Sequence, residues 1–331
     1  PRLPLSIRIA YFFVRITTDF SLRRDGTVNR LLANFFQHAV SNMLTTTKPR
    51  AGVRTADIVV DVSRNLWFRL FVPTHVADRR IPVVVFFHGG GFVFMSADLK
   101  HYDNVCRRFA TEIGAVVVSV NYRLAPEHRY PSPYEDGCDV LRFLDQNKHL
   151  LPENADLSRC FLAGDSSGGN ISHHVAKRWC ESAAESSSRV IGVVAIQPLF
   201  NGKIPSKSEV ELESVDVIIS FERTNWFLKA FLPSDSDDFD HEAINVSGPN
   251  AADVSKLDFP TTMVVISEFD SLKDWQRKYY EWLKDSGKEA VLVEYPNMVH
   301  GFYIFPELPE STHLINRIKD FVTDQCAKAT K

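Results

Sequence analysis

A Gly-x-Ser-x-Gly pentapeptide at residues 164–168 is the feature of this chain with the clearest chemical potential. An apolar segment, residues 160–163, precedes it, and a helical pattern follows from residue 170. A serine on a sharp strand-to-helix turn exposes its hydroxyl, and the helix N-terminus behind it favours negative charge developing nearby. The glycines two positions away on either side leave room for neighbouring backbone. The pattern therefore predicts that Ser166 is a nucleophile.

A glycine-rich turn, His-Gly-Gly-Gly-Phe at residues 88–92, follows the most apolar strand candidate. Acyl transfer puts negative charge on the substrate carbonyl oxygen, and backbone N–H groups in such a turn can stabilise it. We expect an oxyanion hole made of the N–H groups of Gly89, Gly90 and Ser167. The predicted supporting residues are His88, Gly91 and Asp165. The alternative, a phosphate-binding turn, is disfavoured because the sequence has neither G-x-G-x-x-G nor the Lys-Ser/Thr pair of a P-loop.

The general base is expected to be a histidine that follows the serine in the chain. Of the 11 histidines, those that do are His173, His174, His241, His300 and His313. The first two belong to the helix after the serine, the third to a polar segment, and the last to a helix surface. His300 comes directly after the strand candidate 290–295, at a strand end where ligand chemistry gathers in open α/β sheets. His300 is therefore the predicted base.

The acid that orients the base should follow the preceding strand candidate, residues 262–267. Three carboxylates compete there, Glu268, Asp270 and Asp274. Glu268 is assigned to the strand end and Asp274 to the cap of the next helix. Asp270 lies in the loop between them, so it is the predicted acid. Its role would be to fix the tautomer of the histidine and to stabilise the imidazolium.

The elements that position these residues alternate between strand-like and helix-like segments. Strand candidates are 57–63, 66–72, 82–87, 115–120, 159–163, 190–196, 262–267 and 290–295. Helical patterns lie near 98–112, 134–149, 167–182, 272–286 and 310–326. Several strands are continuous apolar runs, which suit strands buried on both faces of a parallel sheet. The alternation predicts an α/β fold with a mostly parallel sheet, and the short link at Asn65 predicts an antiparallel hairpin at one edge.

Two segments do not fit the alternation, residues 1–50 and about 200–250. The first has helical pieces near 8–14 and 28–45, and the second is polar and then aromatic. Neither is long enough for a core of its own. We expect both to form a cap or lid on a single domain that spans residues 1–331.

Composition narrows the class of partner. The chain has 331 residues and a formal net charge of −3, which suggests neither a nucleic-acid nor an anionic-membrane partner. The five cysteines are scattered without a CxxC pair, which favours buried packing roles and a reducing compartment over disulfides or zinc. No stretch approaches the roughly 18 apolar residues that span a bilayer. We expect a cytoplasmic protein, monomeric or weakly oligomeric, that acts on a small-molecule ester without metal or cofactor.

Together these motifs resemble the hormone-sensitive-lipase-like branch of the α/β-hydrolases, and within it the plant carboxylesterases. The matching stretches are 88–92, 121–127, 164–170, 270–274 and 300–302, in the order of that family. The resemblance implies an eight-stranded sheet, a helical cap drawn partly from the N-terminus, and ester hydrolysis through an acyl-enzyme. It also implies that residues 121–127 form a supporting turn beneath the active site.

Two relatives on the same scaffold supply the alternative functions. The gibberellin receptor is similar to this branch but lacks the catalytic histidine, whereas His300 is present here. The 2-hydroxyisoflavanone dehydratases, which are lyases, include members with a hydroxylated residue in the glycine turn, whereas this turn is all glycine. The predicted function is therefore a carboxylesterase, with a ligand-binding receptor or a dehydratase as the alternative.

Overall fold

One mixed sheet runs through the computed structural model, which describes residues 3–44, 52–75, 80–182, 187–214, 218–234, 236 and 238–329. Its strands are β1 (Val53–Asp61), β2 (Leu66–Pro73), β3 (Ile81–Phe87), β4 (Val116–Asn121), β5 (Ala155–Asp165), β6 (Val190–Ile196), β7 (Thr261–Phe269) and β8 (Ala290–Val299). They lie in the order β1-β2-β4-β3-β5-β6-β7-β8. β1 and β2 pair antiparallel, as do β2 and β4, and every other pair is parallel. The predicted eight-stranded, mostly parallel sheet and its edge hairpin are confirmed.

Helices cover both faces of the sheet. Within the described ranges they are α1 (Leu5–Ser21), α2 (Arg30–Leu44), α3 (Lys100–Arg108), α4 (Ser132–Gln146), α5 (Ser167–Ser182), α6 (Lys207–Leu212), α7 (Phe221–Phe231), α8 (Lys273–Asp285) and α9 (Pro309–Lys328). A π-helical turn, Phe109–Ile113, continues α3, and 3₁₀ turns occupy Lys148–Leu150 and Phe302–Ile304. One hydrophobic core joins the sheet to α4, α5, α7 and α8, and a second joins it to α1, α3 and α9.

Strand β3 shows why the apolar runs are continuous. Val83, Val85 and Phe87 point into the first core, while Val84 and Phe86 point into the second. All five side chains are buried. Burying a side chain of this kind stabilises the fold by roughly 1.5–3 kcal/mol, so a polar residue on either face would be costly. A strand that is buried on both faces, such as β3, therefore shows no alternation of polar and apolar residues in its sequence.

Two elements end at residues other than those predicted from the sequence, the strand β1 and the helix α1. Strand β1 was expected at 57–63 but ends at Asp61, because the carboxylate Oδ1 of Asp61 accepts the N–H groups of Ser63 (2.8 Å) and Arg64 (3.2 Å). These bonds close the hairpin turn before Asn65, which has a left-handed φ of 51°. The first helix also extends well beyond the 8–14 expected for it.

Two smaller expectations concern burial and the membrane. Cys106, Cys138 and Cys160 are buried as predicted, but Cys180 and Cys326 are partly exposed near the ends of α5 and α9. Over the described ranges, no helix has both the length and the apolar character required to cross a membrane. The assignment of residues 1–331 to a single domain stays a prediction.

Candidate active site

Ser166 lies at the junction between β5 and α5 in a left-handed conformation, with φ of 53°. This conformation is uncommon for a residue with a Cβ and stores backbone strain of about 1–3 kcal/mol. Two backbone bonds hold it there: the N–H of Ser166 donates to Ile196 O (2.9 Å), and Leu199 N–H donates to Ser166 O (2.8 Å). The strained turn thus fixes the serine between β5 and the end of β6.

The two glycines of the pentapeptide are required by close backbone contacts. A Cβ on Gly164 would lie 2.4 Å from the carbonyl oxygen of Gly168, and a Cβ on Gly168 would lie 2.0 Å from that of Phe87. Neither distance is tolerable for a side chain, so only glycine lets β5, α5 and the end of β3 meet this closely. The spacing read from the sequence therefore has a steric cause.

His300 is held by Asp270 at the neighbouring strand ends. Asp270 directly follows β7 and is fully buried, and its Oδ2 lies 2.7 Å from His300 Nδ1 in the turn after β8. The Asp270 carboxylate also accepts Leu272 N–H (2.9 Å) and the Nε2 amide of Gln276 (2.9 Å). Because a carboxylate only accepts, Nδ1 carries the proton and Nε2 of the imidazole keeps its lone pair. The imidazole is thus set in the tautomer that a general base needs.

Gln197 clamps the turn that carries His300, and sequence reasoning missed it. Its Oε1 accepts Gly301 N–H (2.8 Å), and its Nε2 donates to Val299 O (3.1 Å). The two bonds bracket His300 along the backbone, so the glutamine fixes the position of the imidazole. Its one sequence signal is a polar residue immediately after the buried strand β6.

The competing carboxylates have other partners. Glu268 is exposed at the end of β7, as expected, and pairs with Lys273 (2.6 Å). Asp274 lies in the first turn of α8, but it does not cap that helix as expected; it accepts the N–H of Ser208 (2.8 Å). The N-cap of α8 is Leu272 instead, so Asp274 lies inside the helix rather than at its cap position.

The other histidines lie apart from this cluster. His173 and His174 are buried on α5, where His173 Nδ1 contacts Tyr279 Oη (3.0 Å) and His174 Nε2 contacts Ala243 O (3.1 Å). His241 is half-buried, and its Nδ1 accepts Ala243 N–H (3.1 Å). His313 is exposed on α9 and contacts Tyr295 Oη (3.0 Å).

The glycine turn holds its three N–H groups in different surroundings. The N–H of Gly89 donates to Asp165 Oδ1 (2.9 Å) and lies 2.8 Å from Tyr102 Oη, so it is already engaged inside the protein. Gly90 and Gly91, with φ of 112° and 63°, line the adjacent cavity instead. In the described ranges neither of their N–H groups has a protein acceptor within hydrogen-bond distance.

Asp165 supports the turn from below. Its Oδ2 accepts the hydroxyl of Tyr102 (3.1 Å) while Oδ1 holds Gly89, which ties the glycine turn to the residue before Ser166. Burial raises the pKa of this carboxyl to about 6, and its hydrogen bonds and the nearby His300 act in the opposite direction. A carboxyl with a pKa of about 6 is mostly ionised at pH 7, and these partners favour the ionised form.

His88 and residues 121–127 form the next layer. The His88 ring stacks on Tyr122 with 4.3 Å between centroids, and its carbonyl accepts the Tyr122 hydroxyl (2.8 Å). Burial lowers the pKa of His88 to about 4, so the ring is neutral at pH 7. Arg123 binds the buried Asp136 through Nε (2.9 Å). The supporting position expected for this stretch agrees with these contacts.

A mostly apolar cavity of about 130 Å³ opens over the strand ends. Ser166, His300, Asp165, Gly90 and Gly91 all line it. Its volume is close to the roughly 150 Å³ of a cavity that admits benzene. The cavity can therefore take one small acyl or alcohol group as it stands.

The far wall of the cavity comes from the segments expected to form a cap. We use "cap" here for α1, α2 and α7. Tyr11 of α1 donates its hydroxyl to His300 O (3.1 Å), and Gln37 of α2 accepts Met95 N–H (2.6 Å). Arg223 of α7 binds Asp19 of α1 through Nε (2.9 Å). From the second of these segments, α7 lines the cavity, whereas the described residues of 200–214 and 233–250 do not.

A family model described as the alpha/beta hydrolase fold matches residues 84–304, two-thirds of the chain, including Ser166, Asp270 and His300. The chain belongs to the α/β-hydrolase family. The resemblance to its hormone-sensitive-lipase-like branch is confirmed, since plant carboxylesterases are among the relatives. Among the described residues, no group of three or more histidine, cysteine, aspartate or glutamate side chains is placed to hold a metal ion.

Relatives of this α/β-hydrolase include both receptors and esterases. Gibberellin receptor GID1C of Arabidopsis thaliana is 36% identical over 337 residues, 98% of this chain and 95% of the receptor. Carboxylesterase 20 of the same plant is 29% identical, over 96% of this chain and 98% of the enzyme. The solved hyperthermophilic esterase from the archaeon Pyrobaculum calidifontis superposes with a TM-score of 0.80 at 30% identity, over 98% of this chain and 99% of the esterase. Family membership alone therefore does not choose between binding and catalysis.

Proposed function

We propose that this α/β-hydrolase is a carboxylesterase that cleaves its substrate through an acyl-enzyme on Ser166. The observation that carries the proposal is the imidazole of His300, held in one tautomer by the buried Asp270 and facing the same cavity as the strained Ser166. A protein that only binds a ligand has no need for this arrangement. Acyl transfer requires each part of it.

The reaction begins with proton transfer from Ser166 to Nε2 of His300 as the serine oxygen attacks the ester carbonyl. A C–O bond forms, and the carbonyl π electrons move to the oxygen. When the tetrahedral intermediate collapses, the bond to the alcohol oxygen breaks, and the imidazolium gives its proton to the departing alcohol. Water then repeats both steps on the acyl-enzyme and releases the acid. Asp270 stabilises the imidazolium throughout and keeps its own charge.

The oxyanion is held by the N–H groups of Gly90, Gly91 and Ser167 in this proposal. The first two line the cavity, and the third is the first N–H of α5, which has no acceptor within its own helix. The N-terminus of α5 adds a favourable partial positive charge. Gly89 supports these donors indirectly, because Asp165 fixes its peptide.

Gly90→Ala should lower kcat for p-nitrophenyl acetate by about 10²–10³-fold, the usual loss for one oxyanion donor. A Cβ at this position would lie 2.3 Å from Phe94 O, and the φ of 112° is unfavourable for alanine, so the peptide must move. Gly287→Ala is the matched control: its φ of 72° is also positive, but nothing lies within 4 Å of the added Cβ. Equal losses of kcat in both variants would mean that backbone strain, rather than oxyanion binding, explains the effect.

Labelling with an organophosphonate that carries a p-nitrophenyl leaving group tests the nucleophile directly. The serine oxygen should displace one equivalent of p-nitrophenol from phosphorus, so the peptide that contains Ser166 should gain the mass of the reagent minus that of p-nitrophenol. Peptide mass spectrometry locates the adduct. An adduct on another residue, or none despite bound reagent, would remove the basis of the esterase proposal.

A receptor is the competing function, because gibberellin receptors are among the relatives. A receptor should bind its ligand without turnover and should tolerate loss of His300. A dehydratase should lower the mass of its substrate by one water without forming an acid. Product analysis by mass spectrometry separates all three functions, since only the esterase yields an acid and an alcohol from one ester.

A further inference from the structure

One face of α1 brings polar groups into the otherwise apolar cavity. Tyr11, Arg15 and Thr18 occupy positions i, i+4 and i+7 of the helix, and all three line the cavity. Of these three residues, Tyr11 lies nearest the catalytic residues, because its hydroxyl contacts the backbone of His300. Arg15 follows about one helical turn further on, about 6 Å along the helix axis. An arginine side chain therefore lines the cavity on the cap side, about one helical turn from the residue that contacts His300.

The charge of Arg15 is only partly balanced. Its Nε lies 3.9 Å from Asp19 Oδ2, and its side chain is 54% exposed. Asp19 is already bound by Arg223, through Nε to Oδ1 (2.9 Å) and Nη2 to Oδ2 (3.1 Å). Both arginines line the cavity, so two positive charges share a single carboxylate there. One positive charge remains at the mouth of the cavity.

The described residues that line the cavity offer Arg15 no further carboxylate. Asp165 is the one acidic residue among them, and it is buried at the floor against Gly89 and Tyr102. On the cap side, Gln37 accepts Met95 N–H through Oε1, which leaves its NH₂ group as a further donor beside the cavity. The cap wall thus offers hydrogen-bond donors and positive charge, which suit an anionic group.

We propose that the preferred substrates are esters that carry a carboxylate, and that Arg15 binds this carboxylate and so determines the specificity. The inference rests on the esterase function proposed above and names its substrate class. A carboxylate on either the acyl or the alcohol part can reach Arg15 if a short chain separates it from the ester. Arginine is well suited to the task because its planar group can form two parallel bonds to a carboxylate.

The test compares charged esters with neutral esters of the same shape. On the acyl side the pair is mono-p-nitrophenyl adipate and p-nitrophenyl 6-methylheptanoate. On the alcohol side the pair is 4-acetoxybutyrate and 4-methylpentyl acetate. The measured quantity is the ratio of kcat/KM for the charged ester to that for its neutral partner. Whichever pair shows the effect identifies the part of the substrate that extends toward the cap.

Arg15→Gln should lower this ratio by about fivefold in at least one pair, the size expected for an ion pair that stays partly exposed. In Arg15→Lys the ratio should stay close to the wild-type value, because the positive charge is kept. In Arg15→Glu the ratio should be lower than in Arg15→Gln, because the new negative charge repels the carboxylate. Arg8→Gln is the matched control: it removes one exposed positive charge from the same helix, outside the cavity lining, and should leave the ratio unchanged.

Two results would overturn the inference while the esterase function stands: an unchanged ratio in Arg15→Gln for both pairs, or an equal fall in Arg8→Gln, which would mean a general charge effect. If the unmodified enzyme hydrolyses p-nitrophenyl acetate but neither member of either pair, the inference alone falls; if it hydrolyses none of the five esters, the esterase function and the inference fall together.

Discussion

Replacing Ser166 by alanine should lower kcat for p-nitrophenyl acetate by about 10⁴–10⁶-fold, the scale on which serine hydrolases lose activity with their nucleophile. Alanine cannot form the acyl-enzyme, so only the oxyanion donors and substrate binding remain to accelerate the reaction. Steady-state kinetics measure kcat, and stopped-flow mixing should show that the initial burst of p-nitrophenol is lost. KM should change little, because the hydroxyl contributes to attack rather than to binding.

Ser182→Ala is the matched control for this variant. Ser182 ends the same helix, α5, is exposed, and donates its hydroxyl to Arg178 O (2.8 Å). Its loss should leave kcat within about twofold, as expected for a surface substitution far from the chemistry. Wild-type turnover in the Ser166→Ala variant would show that another group carries the acyl chain. A large loss of kcat in Ser182→Ala would show that activity depends on the stability of α5 rather than on the hydroxyl of Ser166.

The sequence was most informative where chemistry and local backbone geometry coincide. The glycines of the pentapeptide are needed because their Cβ atoms would strike Gly168 O and Phe87 O, so the spacing is visible in any sequence that makes this turn. Ser166, Asp270 and His300 each follow a strand, and the carboxyl ends of parallel strands meet at one edge. A linear pattern was therefore enough to predict which residues lie near this edge.

The orientation of single peptide groups could not be predicted in this way. The N–H of Gly89 is bonded inside the protein because of Asp165, which is 76 residues away and accepts it. Gln197 likewise acts across 104 residues to hold Gly301. Such contacts depend on the three-dimensional packing, and no short motif encodes them. The same holds for Arg15, whose neighbour Asp19 is bound by an arginine 204 residues further along.

The two segments of the cap were predicted from the sequence, but which of their side chains face the cavity was not. Helical periodicity identified α1 and α2, yet it could not show which side of α1 faces the strand ends. Because α1 also buries Ile7 and Ala10 against the second core, its apolar pattern mixes packing with cavity lining. The contact between Tyr11 and His300 resolves this, since it fixes the rotation of the helix about its axis.

Replacing Asp270 by asparagine should lower kcat by about 10⁴-fold with little change of fold. The carboxylate accepts three donors, from His300, Leu272 and Gln276, and an amide can replace only one of its two oxygens as an acceptor. If the asparagine keeps its oxygen toward Leu272, its NH₂ group faces His300. The imidazole must then present a lone pair at Nδ1 and carry its proton on Nε2, so it cannot accept the proton of Ser166. Steady-state kinetics with p-nitrophenyl acetate measure the loss.

The pH dependence of kcat offers a further check on Asp270→Asn. If His300 can no longer accept the proton of Ser166 in this variant, hydroxide from the solvent must accept it instead. The rate of this variant should keep rising with pH above the range in which the wild-type rate levels off.

Asp274→Asn is the matched control. Asp274 lies four residues after Asp270, and its carboxylate accepts the N–H of Ser208 (2.8 Å). Loss of this carboxylate should lower kcat by at most a few-fold. If the two variants lost activity equally, Asp270 would be acting through the stability of the β7–α8 connection. If Asp274→Asn alone lost activity, the acid would have to be reassigned to Asp274, and the 2.7 Å contact between Asp270 and His300 would serve the fold instead of the reaction.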